Sequence, residues 1–363
     1  MKKVLVTGGA GYIGSVLLPK LVTNGYSVRV VDRLFWGVDP IAELLSEIEL
    51  IEGDVRSLPP GIFSEVFAVI HLAGLSNDPT AEFAPKANWE MNTVATATLA
   101  DDCATRGIQR VTFGSSCSVY DSLPGDVVYD EDASLTPRGA YATSKAAAEN
   151  ELRTRTSRSF QPTILRQGTV YGASPRMRYD LVVNTFVRDA VRSGALELHG
   201  GGLMHRPLVE VNDVAEAHIS CIEAPLQLVG GKTFNVVQHN YVIREVAATV
   251  QKHLHGFGID VRLRDAPLPP IVREYQCAND RLTRATGFSP QRSLELGISE
   301  LLHVARTSAS DFDNPRYYNI EWLTPRREEI ESPTPLSKAA AKAVSEPEDS
   351  KPAPTSLGTT RNA

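Results

Sequence analysis

The sequence predicts a doubly wound α/β fold with a smaller C-terminal cap. Three observations carry this. Short apolar strands alternate with helical stretches through the first half of the chain. The strands read as continuous apolar runs, the pattern of a parallel sheet covered on both faces. The first strand runs straight into the turn Gly8-Gly9-Ala10-Gly11-Tyr12-Ile13-Gly14, and an amphipathic helix follows it.

In chain order, strands are predicted at Val4–Thr7, Val28–Asp32, Glu49–Gly53, Phe67–Leu72, Arg110–Gly114 and Pro162–Arg166. Helices are predicted near Tyr12–Asn24, Asn88–Arg106 and Ala140–Thr156. After Gln167 the alternation loosens, with helices near Asp213–Ala224, Ile243–His255 and Leu294–Arg306. The expected organisation is a nucleotide-binding part over 1–166, a cap over 167–330 interleaved with it, and a tail over 331–363. From Ser332 the chain is rich in Pro, Ala, Ser, Lys and Glu, so the tail is expected to be disordered. There is no internal repeat.

The 363 residues suffice for a large core, and the net charge of −6 argues against a nucleic-acid partner. A few local arginines can still hold a phosphate. The four cysteines, Cys103, Cys117, Cys221 and Cys277, show no metal-ligand spacing, so no metal is expected. The apolar run after Met1-Lys2-Lys3 stops at Thr7, too short for a signal segment, and no run is long enough to span a bilayer. A cytoplasmic setting without membrane contact is expected.

Gly8, Gly11 and Gly14 stand where a strand must turn sharply into a helix while the backbone approaches a pyrophosphate. The helix N-terminus then turns unpaired N–H groups toward the phosphates. A glycine-rich turn alone is weak; the strand before it and the helix after it supply the required context. Asp32 ends the second strand, placed to accept from the adenosine ribose diol and to repel a 2′-phosphate, which favours NAD over NADP. Arg33 beside it complicates that preference. Asp54 closes the third strand and can accept from an adenine amino group or cap a helix. Leu72-Ala73-Gly74 ends the fourth strand with small residues that let a cofactor pass.

Tyr141 and Lys145 lie four apart and share a helix face. A phenol is a poor base at its free pKa of about 10, but a neighbouring ammonium and a cationic nicotinamide favour the phenolate. Tyr141 can then take a hydroxyl proton while hydride leaves the same carbon, with Ser116 holding the oxygen. Tyr-x-x-x-Lys also occurs by chance on amphipathic helices; the glycine turn upstream decides for the functional reading. Cys117 reads as a small pocket-wall residue, since nothing nearby marks an activated thiolate. His71 and His205 read as structural, and Phe83 and Trp89 as packing helix to sheet.

Together these motifs resemble the extended short-chain dehydrogenase/reductases, the nucleotide-sugar epimerase/dehydratase group. The matching pieces are Thr7–Gly14, Asp32, Gly53-Asp54-Val55, His71–Gly74, Asn92, Ser115–Tyr120, Tyr141–Lys145, Leu165-Arg166, Val170-Tyr171-Gly172 and Arg206–Ala215. The resemblance implies a Rossmann-type sheet with a substrate-binding cap, and Ser116, Tyr141 and Lys145 as catalytic residues. It implies that Tyr12, Ile13, Asp32, Asp54, Val55, Leu72, Ala73, Asn92 and Lys145 line an NAD site. Asn184 and Arg206 would reach the diphosphate of a nucleotide sugar, with Arg273 assisting. It also implies a homodimer through helix packing.

Three departures bear on the reaction. Family 4,6-dehydratases carry Asp-Glu after the catalytic Ser/Thr, whereas this chain has Cys117-Ser118. Glu210 stands where the cap strand usually has His, and Thr169 where Asn is expected. Cys117-Ser118 resembles the epimerase pattern, while Glu210 and Thr169 alter the substrate pocket; the resemblance implies epimerisation of a nucleotide-activated sugar, at C4, through a transient keto intermediate. An NAD(P)H-dependent ketoreductase of a nucleotide-linked keto sugar stays open. A dehydratase or a redox-silent NAD-binding regulator fits the residues less well.

Overall fold

The computed structural model describes residues 1–268, 273–307 and 311–333. The glycine turn joins β1 (Lys3–Thr7) to α1 (Gly14–Thr23), and β2 (Ser27–Asp32), β3 (Ile48–Glu52) and β4 (Val66–His71) follow. Helices α2 (Asp78–Phe83), α3 (Pro85–Trp89) and α4 (Ala95–Thr105) lead to β5 (Arg110–Ser116). A short β6 (Val128–Tyr129) and α5 (Ala140–Thr154) precede β7 (Gln161–Gln167). The helix expected over Asn88–Arg106 is interrupted by a π-type turn at Glu90–Val94, where the Asn92 side chain bonds the Leu75 carbonyl, Asn88 and Ser144.

The second half begins with β8 (Thr169–Tyr171), α6 (Val182–Ser193), β9 (Ala195–His199) and β10 (His205–Glu210). It continues through α7 (Val211–Glu223), α8 (Leu226–Val229), β11 (Thr233–Val236), β12 (His239–Val242) and α9 (Ile243–His255). Last come β13 (Arg262–Ala266), β14 (Gln276–Cys277), α10 (Arg281–Thr286), α11 (Leu294–Thr307), α12 (Asn319–Leu323) and α13 (Arg327–Glu331).

The central sheet is seven-stranded and parallel, in the order β3-β2-β1-β4-β5-β7-β11. Its strands are apolar because both faces are covered: Val4, Leu5, Val6, Val30, Val69 and Ile70 are wholly buried. On one face α1 packs with α7 through Leu17, Leu18, Leu21, Ala215 and Ile219. On the other, Leu99, Cys103, Ala148 and Leu152 of α4 and α5 cover Leu5, Val69 and Phe113. Both β11 and α7 come from beyond residue 167, so the second half completes the sheet layers as well as building the cap. The cap core joins α6, α9 and α11 through Val183, Val187, Val246, Val250, Ile298 and Leu301.

Residues 311–333 turn back onto the nucleotide-binding half. Trp322 Nε1 donates to the Phe35 carbonyl at 2.7 Å and Arg33 Nη2 to the Glu329 carbonyl at 2.6 Å. Leu323 and Ile330 are buried with Val55, Leu75 and Met91. Arg56 Nη2 donates to the Ser332 carbonyl at 3.0 Å, so docking extends past the expected boundary at 331. Residues 334–363 of the expected tail lie outside the described residues. Trp89 does not pack helix to sheet; it is 45 % exposed. Among the described residues no helix is long and apolar enough to cross a membrane, and no group of three or more His, Cys, Asp or Glu could hold a metal ion.

Two histidines are buried within hydrogen-bonding networks. His71 lies between Thr7 Oγ1 (2.6 Å) and Thr96 Oγ1 (3.0 Å), and His218 between Thr112 Oγ1 (2.8 Å) and Gln167 Nε2 (3.0 Å). Burial pushes each down to about 3 from the ordinary 6.5. Between those values the unfolded chain binds a proton that the folded chain does not, so each histidine withdraws stability as pH falls below 6.5. By pH 5 the loss is about 2 kcal/mol per histidine. Denaturant unfolding of wild type and His218→Gln at pH 7 and pH 5 checks this. The stability gap should move by about that amount in the variant's favour; a gap independent of pH would contradict it.

Candidate active site

Strand order reverses between β1 and β4, which opens a crevice at their carboxyl ends. A cleft of about 390 Å³ lies there. Gly8, Gly11, Tyr12, Ile13, Gly14, Asp32, Asp54, Val55, Leu72, Ala73 and Gly74 line it, with Ser116, Tyr141, Arg206 and Arg273. Gly8 has φ +78°, and a Cβ there would stand 2.7 Å from the Ala73 nitrogen, so a side chain would separate the two strand ends. Gly74 has φ +153°, and a Cβ there would meet Asn92 Oδ1 at 2.2 Å. Asn92 and Lys145 thus stand behind Gly74 rather than on the cleft wall.

At the β2 end of the cleft, Asp32 accepts from the backbone N–H of Ala10 at 3.0 Å and of Leu34 at 2.8 Å. Burial pushes its carboxyl up, while these bonds and Arg176 oppose the shift. Asp54 accepts from the Arg56 amide (2.9 Å) and from Arg56 Nη2 (2.7 Å), and pairs with Arg33 Nη1 at 3.1 Å. Burial raises its carboxyl, but the two guanidiniums outweigh that and hold it below the usual range. Asp54 therefore caps the turn at Val55–Ser57. Arg33 is engaged with Asp54 and Glu329.

At the other end, Ser116 finishes β5 and its Oγ accepts from the Ser118 amide at 3.1 Å. Tyr141 and Lys145 rise from the first turns of α5. Lys145 is 5 % exposed, and Nζ donates to the Gly114 carbonyl at 2.9 Å. Burial pushes its ammonium down to about 8, against the pull of Glu149. Burial and then the Asp78 charge push the Tyr141 phenol up to about 12, while Ser116, Arg178 and Arg273 draw it down. A phenol so placed needs further positive charge nearby to ionise.

Besides Asn92 and Lys145, two further expected site residues are not on the cleft. Asn184 is fully buried and its amide is consumed: Oδ1 accepts from the Gly172 amide at 3.0 Å, and Nδ2 donates to the Arg178 carbonyl at 2.8 Å and Tyr12 Oη at 3.1 Å. It joins cap to glycine turn and has no polar atom left for a diphosphate. Cys117 is fully buried, with Sγ donating to the Arg166 carbonyl at 3.2 Å. Burial and the neighbouring Cys277 push its thiol well up, so it is neither a nucleophile nor a wall.

Other residues on the cleft were missed. Asp78, Gln167, Arg176 and Arg178 all line it. Arg176 lies over Trp36 (3.9 Å to the ring centre), with Nη2 donating to Asn319 Oδ1 at 2.5 Å and Nη1 buried without a partner. Burial pushes this guanidinium down to about 9. Their signal was Pro175-Arg176-Met177-Arg178, close after the Tyr171-Gly172 strand end. An unpartnered guanidinium N–H near Asp32 and the glycine turn fits the anionic backbone of a dinucleotide.

The profile of the NAD dependent epimerase/dehydratase family matches residues 4–236. The chain belongs to that family. A UDP-glucose 4-epimerase of Azospirillum brasilense is 32% identical over 319 residues, covering 82% of this chain and 89% of that protein. A UDP-glucuronic acid decarboxylase 1 of Xenopus tropicalis is 26% identical over 329 residues, covering 87% of this chain and 75% of that protein. The solved structure of MoeE5 in complex with UDP-glucose and NAD superposes with a TM-score of 0.73 at 27% identity, covering 85% of this chain and 99% of that one.

The role of Asn184 is checked by Asn184→Ala. The variant strands the Gly172 amide and the Arg178 carbonyl, and should lose about 2 kcal/mol of unfolding free energy with no ligand present. An unchanged melting temperature would return Asn184 to a ligand-binding role.

Proposed function

We propose that the protein is an NAD-dependent epimerase that inverts C4 of a sugar carried on a nucleoside diphosphate. One observation carries this reading. Ser116, Tyr141 and Arg206 line the same cleft as the glycine turn and Asp32, and the two residues after Ser116 offer neither a general acid nor a general base. Water elimination needs such a pair; epimerisation needs only one group that takes and returns a proton. The similarity to a UDP-glucose 4-epimerase and to a structure holding UDP-glucose and NAD supports the substrate class.

Bound NAD supplies the hydride acceptor and donor; the chain supplies everything else. Gly8, Gly11, Gly14, Asp32 and Arg176 hold the dinucleotide, with Asp32 taking the ribose hydroxyls. Arg206 and Arg273 hold the sugar's diphosphate. Ser116 fixes the reacting oxygen, and Tyr141 removes its proton as the sugar becomes a ketone. Lys145, pushed to about 8, keeps a positive charge 6.0 Å from the centre of the Tyr141 ring at neutral pH and so favours the phenolate. The ketone turns in the cleft, and Tyr141 returns the proton once the opposite face is reduced.

The test is a panel of nucleotide sugars incubated with enzyme and catalytic NAD in deuterated water. The product should be the C4 epimer, its C4 hydrogen retained as protium and no net NADH formed or consumed. Stoichiometric NAD(P)H consumption would favour the ketoreductase, and deuterium at a carbon beside C4 would mean enolisation. Tyr141→Phe should bind NAD normally and lose at least about 100-fold in turnover.

A further inference from the structure

Asp78 lines the cleft with Ser116, Ser118, Tyr141 and Arg273, and the residue is 8 % exposed. Its two carboxylate oxygens are treated differently. Oδ2 accepts from Arg273 Nη1. Oδ1 is buried with no hydrogen-bond partner. Leaving a buried carboxylate oxygen without a donor is costly, and a ligand that supplies the donor removes the cost.

The position of this oxygen relative to the reacting groups is fixed by α5. Gly139, two residues before Tyr141, comes so close that a Cβ on it would stand 3.0 Å from Asp78 Oδ1. Ser118 Oγ is a second buried, unpartnered atom on the same cleft. Two unsatisfied groups thus border the space next to the Tyr141 phenol. Arg273 pairs with both Asp78 and, at 3.3 Å, Asp121, and Arg206 also acts on Asp121, so the buried polar atom of this cluster left open to a ligand is Asp78 Oδ1 rather than a guanidinium nitrogen of Arg273.

We propose that Asp78 determines the class of sugar accepted: its Oδ1 receives a hydrogen bond from the C6 hydroxyl of a neutral nucleotide-linked hexose, and it excludes hexuronates. A hexuronate replaces the C6 hydroxyl with a carboxylate, which has no donor to offer Oδ1 and is repelled by it. The Asp78 side chain is a specificity residue in this scheme and takes no part in proton transfer. The inference rests on the nucleotide-sugar reading above.

The test is calorimetric titration of the NAD-loaded protein with the glucose and glucuronate conjugates of UDP, dTDP and GDP. For whichever nucleotide binds, the glucose conjugate should bind at least about tenfold more tightly than the glucuronate. Asp78→Asn, which removes the charge and supplies an amide donor, should bring the two within about threefold by tightening glucuronate binding. Equal binding of the two conjugates by wild type would overturn the proposal, and needs no variant to fold. So would an unchanged ratio in an Asp78→Asn protein with wild-type melting temperature. If no conjugate of either sugar binds while NAD still does, the nucleotide-sugar reading itself fails and this proposal falls with it.

Discussion

The reversal of strand order between β1 and β4 is the constraint on which the site depends. One branch of the chain fills the sheet toward β3 and the other toward β11, so the loops after β1 and β4 part and leave a crevice. The two loops still approach so closely that Gly8 tolerates no side chain against Ala73. Asp32 ends the neighbouring strand on one side, and Ser116 ends β5 on the other. The cleft thus spans strand ends whose lateral spacing is set by sheet hydrogen bonds rather than by mobile loops.

The cap is tied to this crevice by polar contacts near the glycine turn. The Tyr12 hydroxyl donates to the Gly172 carbonyl at 2.7 Å and accepts from Asn184, while Ser174 Oγ donates to the Tyr12 carbonyl at 2.7 Å. These buried bonds fix the segment that carries Arg176 and Arg178, which adds to the positive charge that Arg206 and Arg273 bring to the cleft beside Asp32, Asp54 and Asp78. Burial raises the cost of every charge here, so pairing decides which remain ionised. Arg178 is paired with Asp180 at 2.8 Å, whereas Arg176 keeps one unpartnered N–H.

Local, periodic features were legible in the sequence. The run from β1 through the glycine turn to α1, the apolar strands and the four-residue spacing of Tyr141 and Lys145 each declare themselves within a short window. What escaped depends on contacts between distant segments. Thr233–Val236 is only four residues long, and nothing in it announces that it pairs with β7. Asp78 opens the six-residue helix α2, too short to show a period, and Arg176 sits in a connection. Asn184 matched a family position, yet sequence does not show that Gly172, Arg178 and Tyr12 consume its amide. Cys117 adjoins Ser116, but the short helical turn starting there buries it against β7.

The docking of residues 319–333 bears on the cleft itself. Asn319 and Leu323 line it, and their segment is pinned by Trp322 on Phe35 and by Arg33 and Arg56 on the backbone of α13 and Ser332. Part of the cleft wall is thus built from chain far from the glycine turn in sequence, so local unfolding of this segment would dismantle that part of the wall while leaving the sheet intact.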